Sequence, residues 1–284
     1  MRIRVGSRES RLAVIQSEII IAKIREYDPS AEIELVTMKT TGDKILDRTL
    51  DKVGGKGLFV KELDRALIEG EVDITVHSLK DMPVPDNKEL PIIAYSERKN
   101  PFDALILPKG ATEIKGAIGC ASMRRTALLK RLYPDIEVRP VRGNVLTRLD
   151  KLDRGEYGAL VLACAGLERL GLGERISRVF TPEEMLPAAG QGIIAVQGRK
   201  DGDYPWIDAV NSRLSEVYAR AERAFIRELE GGCSNPSAAY AQAEGETLIV
   251  RGMNLKNGEL LFDELKGGLG DAESMGIELA KRLK

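Results

Sequence analysis

The strongest constraint on this chain is an alternation, running from residue 2 to residue 197, of short apolar stretches with segments whose apolar residues recur at helical spacing. Residues 2–5 read as a strand, and Leu12, Ile15, Ile19 and Ala22 then mark a helix that Tyr27-Asp28-Pro29 stops. Residues 33–38 form the next strand. Residues 42–58, charged and containing Gly54-Gly55-Lys56-Gly57, read as a long loop before a helix over 59–68 and a strand over 72–77 that Pro83 and Pro85 close off. The pattern restarts near residue 98, with strands at 104–107, 117–120, 136–141 and 159–163 and helices at 124–132, 145–152 and 167–170. This order predicts open α/β sheets with parallel strands. Residues 193–197 add a strand and 214–229 a long amphipathic helix; beyond residue 238 three strands and a helix from Ala272 predict a small α+β domain on an antiparallel sheet. No internal sequence repeat is evident.

Charge and residue counts narrow the function. The 43 Lys and Arg residues nearly cancel 44 Asp and Glu, which disfavours a duplex nucleic-acid partner. Apolar runs fall far short of the ~20 residues needed to cross a bilayer, so no membrane association is expected. The start, with Arg2, Arg4, Glu9 and Arg11, carries no secretory signal, so the expected location is cytoplasmic. Cys120, Cys164 and Cys233 are odd in number and unpaired in sequence, arguing against a disulfide framework or a thiolate metal site. His77 is the only histidine, which removes HExxH sites and most Ser-His-Asp arrangements, and no metal is expected.

The basic residues fall where the strands end. Arg8, Lys80, Arg124, Arg125, Arg142, Arg148 and Arg169 all follow predicted strands, at the rim where open α/β sheets form their ligand crevice. A cation at a helix N-terminus opposes the helix dipole by ~0.3–1 kcal/mol, so repeated placement there calls for an anionic ligand with several carboxylates or phosphates. For any single arginine, capping or a solvated ion pair is the commoner explanation; for the set recurring at strand ends the two readings stand level. The Gly54–Gly57 segment lacks the Ser or Thr and the first glycine of a nucleotide loop, leaving flexibility or a lid. Cys233, on a Gly231-Gly232 turn after the long helix, is open to electrophiles, whereas Cys164 reads as an inert thiol within an apolar strand. Asp81, beside Lys80 at a strand end, is either a local ion pair or a carboxylate that stabilises a cationic intermediate. His77 reads as a packed strand residue.

Five ordered motifs carry a family resemblance: Val76-His77-Ser78-Leu79-Lys80-Asp81-Met82-Pro83, Ser122-Met123-Arg124-Arg125, Arg142-Gly143-Asn144-Val145, Leu186-Pro187-Ala188-Ala189-Gly190-Gln191-Gly192 and Glu230-Gly231-Gly232-Cys233. Val5-Gly6-Ser7-Arg8 and Thr40-Thr41-Gly42-Asp43 extend it. The chain resembles the hydroxymethylbilane synthase, or porphobilinogen deaminase, family. The resemblance implies two lobes like those of periplasmic binding proteins, with mixed, mostly parallel sheets, and a small C-terminal α+β domain with an antiparallel sheet. The divisions expected are 1–95 with 193–212, 96–192, and 213–284.

The implied enzyme is a transferase of tetrapyrrole (porphyrin and heme) biosynthesis. It joins four porphobilinogen molecules head to tail, each losing ammonia, to give 1-hydroxymethylbilane. The reaction is primed on a covalent dipyrromethane cofactor that the resemblance places on Cys233 as a thioether. By motif position, Asp81 is implied as the catalytic carboxylate facing the azafulvenium cation. Arg8, Ser10, Arg148, Arg169 and Gln191 are implied for substrate, and Ser78, Lys80, Cys120, Ser122, Arg124, Arg125, Arg142 and Gly143 for cofactor. Lys56 and Phe59 are implied as the lid. A monomer is implied, with room for transient contact with uroporphyrinogen-III synthase. Several positions depart from the family pattern: Arg11, Leu146, Asn100-Pro101-Phe102, Asn235 and Ser237, and Cys120, which stands where a threonine is usual and offers a weaker donor. The competing reading is a non-catalytic two-lobed binder of carboxylate-rich ligands. Such a protein would carry a secretory signal and has no need of Cys233.

Overall fold

The computed structural model describes residues 1–44, 57, 60–229 and 236–284. Strand β1 (Arg2–Arg8) pairs in parallel with β2 (Glu32–Met38), and α1 (Arg11–Tyr27) makes the crossover. Ser10 starts α1 by accepting from the Ala13 amide at 3.3 Å, satisfying one of the donors a helix leaves open at its first turn. Helices α2 (Thr41–Lys44) and α3 (Lys61–Ile68) precede β3 (Ile74–Ser78), which lies parallel to β1 on its other side. Strand β4 (Ile92–Tyr95) joins the same sheet through β10 (Ile194–Gly198), giving the order β2-β1-β3-β10-β4 with β10 antiparallel to both neighbours. Val5, Ile20, Ile24, Ile74, Val76, Val196 and Trp206 fill the space between this sheet and its helices. Burying one such side chain contributes about 1.5–3 kcal/mol.

The second sheet repeats the plan. Strand β5 (Asp103–Ile106) leads to β6 (Ile118–Cys120), α4 (Met123–Leu132), β7 (Val138–Pro140), α5 (Val145–Asp153), β8 (Ala159–Ala163), α6 (Cys164–Arg169) and β9 (Arg178–Val179). Its order is β7-β6-β8-β5-β9, with β6 parallel to β7 and β8, and β5 antiparallel to β8 and β9. The sheets are therefore mixed as expected, but parallel pairing covers half of their interfaces. In each sheet the antiparallel strand is the one next to a crossing between lobes, β5 after the first crossing and β10 after the second, and it enters against the direction of the parallel set.

After α7 (Ile207–Val210) and α8 (Arg213–Glu228), strands β11 (Ser237–Glu244), β12 (Thr247–Lys256) and β13 (Glu259–Gly268) form an antiparallel meander backed by α8 and α9 (Ala272–Leu283). The two helices nearly touch, since a Cβ on Gly276 would meet the Ala221 carbonyl at 2.1 Å. Helix α8 also grips both crossings. Arg98, between β4 and β5, donates from Nη2 to both Glu222 oxygens at 2.8 Å. The same carboxylate accepts the Gly190 amide at 2.6 Å and the Ala241 amide at 2.7 Å.

Three local expectations change. Strands β4 and β9 were not legible, and Cys164 opens α6 instead of lying in a strand. Cys164 is nonetheless fully buried, and burial pushes its thiol up to about 12, in keeping with an inert role. Of the loop expected over 42–58, residues 42–44 belong to α2 (Thr41–Lys44); apart from Gly57, the remainder lies outside the described residues. Among the described residues, no helix is long and apolar enough to cross a membrane.

Candidate active site

Strand β1 ends at Arg8, and β3 ends at Ser78, from which one turn of 3-10 helix, Leu79–Asp81, carries Asp81 out. Arg8, Ser10, Gln16, His77, Ser78 and Asp81 line one cavity at these strand ends. Gln16 on α1, which the sequence reading did not single out, donates from Nε2 to Ser78 Oγ at 2.9 Å and fixes that hydroxyl. His77 is 6% exposed yet reaches the cavity wall, and burial together with the Arg8 charge brings its imidazole down to about 4, so it is neutral at pH 7. Asp81 is exposed and makes no hydrogen bond or ion pair among the described residues. Its charge is felt at Lys80 and, from the other lobe, at Arg148.

The simple Lys80–Asp81 ion pair is not what forms. Lys80 turns away, and its Nζ donates to Gln191 Oε1 at 3.2 Å. Burial, reinforced by Arg125 and only partly offset by Asp81 and Asp103, pulls its ammonium down to about 8. Gln191 in turn donates from Nε2 to Asp103 Oδ1 at 2.9 Å and to the Pro101 carbonyl at 2.6 Å.

Asp103, like Gln16, is not legible as a site residue in the sequence. It begins β5 fully buried, and Arg124 Nη1 lies 2.8 Å from one carboxylate oxygen while Arg125 Nη2 lies 2.6 Å from the other. Burial raises its carboxyl, but the two guanidinium groups outweigh that and hold it well below the usual carboxylate range. Arg124 and Arg125, each 6% exposed, also donate to the Leu186 carbonyl at 2.7 Å and the Val161 carbonyl at 3.0 Å. The available signal was a lone acid opening an otherwise apolar run, Asp103-Ala104-Leu105-Ile106.

The remaining candidates fall around this group. Ser122 caps α4, accepting the Arg125 amide at 3.4 Å, and the Cys120 thiol is spent locally, 3.5 Å from the Ser122 carbonyl. Gly143 adopts φ +112° in the turn before α5, where its carbonyl accepts from Arg148 Nε at 2.8 Å. Burial, with Arg125 and Arg142 adding repulsion, lowers Arg148 to about 10. Arg169 ends α6, donates to the Gly192 carbonyl at 2.7 Å and is likewise lowered to about 10 by burial. Arg142, just beyond β7, adds another cation to the same rim. Lys56, Phe59 and Cys233 lie outside the described residues.

Taken as charges, Lys80, Arg124 and Arg125 surround one buried carboxylate, Asp103, with Arg142 and Arg148 nearby. Lys80, Arg124 and Arg148 are pushed toward deprotonation by burial and by neighbouring cations, and groups in that position are stabilised when anions join them. The arrangement gathers several cations beside one buried carboxylate, with Asp81 exposed at its edge.

The chain is similar to known proteins along its length. A family model described as "Porphobilinogen deaminase, dipyromethane cofactor binding domain" matches residues 3–204, and one described as "Porphobilinogen deaminase, C-terminal domain" matches residues 217–284. The chain is 56% identical to a protein of Acetivibrio thermocellus named porphobilinogen deaminase, over all of this chain and 98% of that one. It is 54% identical to the protein of the same name from Ruminiclostridium josui, over 100% of this chain and 98% of that one. Among solved structures, the periplasmic aliphatic sulphonate binding protein of Escherichia coli matches with a TM-score of 0.40 and 12% identity, over 70% of this chain and 61% of the other.

Proposed function

The chain belongs to the porphobilinogen deaminase family and is a transferase that condenses four porphobilinogen molecules, with loss of ammonia, to 1-hydroxymethylbilane on a dipyrromethane cofactor, and we propose that Asp81 and the cations around Asp103 carry this chemistry. A non-catalytic binder is not favoured, because the enzyme relatives match from end to end, through residues 217–284.

The observation that supports the site assignment is the excess of buried cations over Asp103. Each pyrrole unit brings an acetate and a propionate, so a dipyrromethane fits a rim of several cations. Lys80, Arg124, Arg125 and Arg142 would hold its carboxylates, with Ser78, Ser122 and Gly143 shaping the rim. Arginine suits this task because its planar fork takes both carboxylate oxygens and stays charged. Held on Cys233, the cofactor supplies the pyrrole end to which the first substrate unit is joined. Arg8, Ser10, Arg148, Arg169 and Gln191 would orient the incoming porphobilinogen. Asp81 would then face its pyrrole N–H. As ammonia departs, positive charge spreads onto the pyrrole nitrogen, and a fixed carboxylate stabilises that cation more than the neutral ground state. Cys120 contributes little as a donor, since its thiol is turned to Ser122.

Membership of the strands in three sheets supports dividing the chain into 1–95 with 193–212, 96–192, and 213–284. On the family resemblance we read the protein as a cytoplasmic monomer with Lys56 and Phe59 in the lid and uroporphyrinogen-III synthase as a transient partner. The test of the site is the intact mass of purified protein. It should exceed the translated mass by two linked pyrrole units, mapped to the Cys233 peptide and absent from Cys233→Ser. An adduct on Cys120 or Cys164 would overturn the assignment.

A further inference from the structure

The turn that presents Asp81 is anchored on both sides. Before it, Leu79 is fully buried and its amide donates to the Ile193 carbonyl at 3.0 Å. Gly190, at φ +75°, leaves room for the Leu79 side chain; a Cβ there would meet Leu79 Cγ at 2.6 Å. After it, Met82 donates back to the Leu79 carbonyl at 3.1 Å. Leu79 and Met82 share an apolar cluster with Val60, Ile193, Ala195 and Ala219, the last on α8. One helical turn beyond Ala219, on the same face, stands Arg223. It is 7% exposed, and its Nη2 donates to the Pro83 carbonyl at 2.5 Å and to the Asp86 carboxylate. Arg223 does not line the cavity formed by Arg8, Ser10, Gln16, His77, Ser78 and Asp81.

We propose that Arg223 is a positioning residue for the reaction: from α8 it pins Pro83 and Asp86, and through them sets where the Asp81 carboxylate sits. The proposal rests on the reading of Asp81 as the reacting carboxylate. It also gives α8 a second task. The helix that ends at Glu228, five residues before Cys233 in the sequence, also holds the turn bearing Asp81. A carboxylate matched to a developing charge loses much of its effect when displaced by an ångström.

Steady-state kinetics of the cofactor-loaded protein test this, with turnover expressed per loaded molecule from its intact mass. Arg223→Met should lower kcat by about tenfold to a hundredfold while KM stays within about twofold, because the substrate contacts are untouched. Arg223→Lys, which can still reach the Pro83 carbonyl, should recover most of the loss. A fall in melting temperature or loading with normal kcat per loaded molecule would overturn the proposal, as would a rise in KM alone. If Arg223→Met does not fold, Asp86→Asn decides: it leaves the Pro83 contact, so kcat should fall by about twofold to fivefold, and an unchanged kcat overturns the proposal. Asp81→Asn measured beside them separates the two claims. Near-normal turnover there would remove the Asp81 reading itself, whereas lost turnover there with normal Arg223→Met would remove only the positioning role.

Discussion

Lys80, in the turn after β3, and Asp103, opening β5 of the other sheet, are joined by one amide: Gln191 Oε1 accepts from Lys80 Nζ at 3.2 Å while its Nε2 donates to Asp103 Oδ1 at 2.9 Å. Gln191 lies on the return crossing between the lobes and is 1% exposed. The cation of the first lobe is thus coupled to the buried carboxylate of the second through a side chain of the return crossing, and the charge balance of the site spans both lobes.

Lys80 should make the stability of the apoprotein pH-dependent. Its folded-state value, about 8, lies below the ordinary lysine value of 10.5, so the cost of keeping it charged and buried is fully present below about pH 8 and fades as pH rises toward 10.5. Lys80→Met should therefore raise the melting temperature of apoprotein at pH 7 and raise it less at pH 10. In the loaded protein, cofactor carboxylates compensate the charge, and the same substitution should instead lower the melting temperature at pH 7. Thermal melts of both forms across this range check the signs.

Removing Asp103 leaves two buried guanidinium groups facing each other. Asp103→Ala should cost about 3–5 kcal/mol, the usual penalty for breaking a buried ion pair from one side. Its carboxyl is held below its ordinary value, so the stability it contributes is complete above about pH 4 and is lost only as pH falls further. Melts of wild type and Asp103→Asn should differ by a constant amount from pH 8 to pH 5 and converge in stronger acid.

The Arg98–Glu222 pair clamps α8 to both crossings, and its side chains are 8% and 0% exposed. Arg98→Leu should destabilise by about 3–5 kcal/mol, since Glu222 would remain buried without its cation. The double variant Arg98→Leu/Glu222→Leu should recover part of that loss, because no isolated charge remains. Chemical denaturation of the single and double variants measures the difference.

Much of this was legible in the chain. The first and third strands follow from local pattern, although β1 runs on to Arg8, beyond the expected end at residue 5, so Arg8 closes the strand instead of following it; the cations still gather at the strand ends in three dimensions. Strands β4 and β9 escaped because a four-residue and a two-residue edge strand carry too little periodicity. The structural repeat of the two sheets leaves no trace in the residues, because a shared strand order needs only apolar runs of similar length. Asp103 and Glu222 were missed for one reason: a buried acid is indistinguishable from a solvated one until its arginine partners, 21, 22 and 124 positions away, are folded against it.

The central claim is that Asp81 stabilises positive charge formed as ammonia leaves, and kcat of Asp81→Asn in cofactor-loaded protein tests it most directly. The substitution is nearly isosteric, and Asp81 is exposed without an ion pair among the described residues, so the thermal melt should be almost unchanged. Loss of one preorganised charge should lower kcat by about 10²–10³. A kcat within a few-fold of wild type, with cofactor loading intact, would contradict the account.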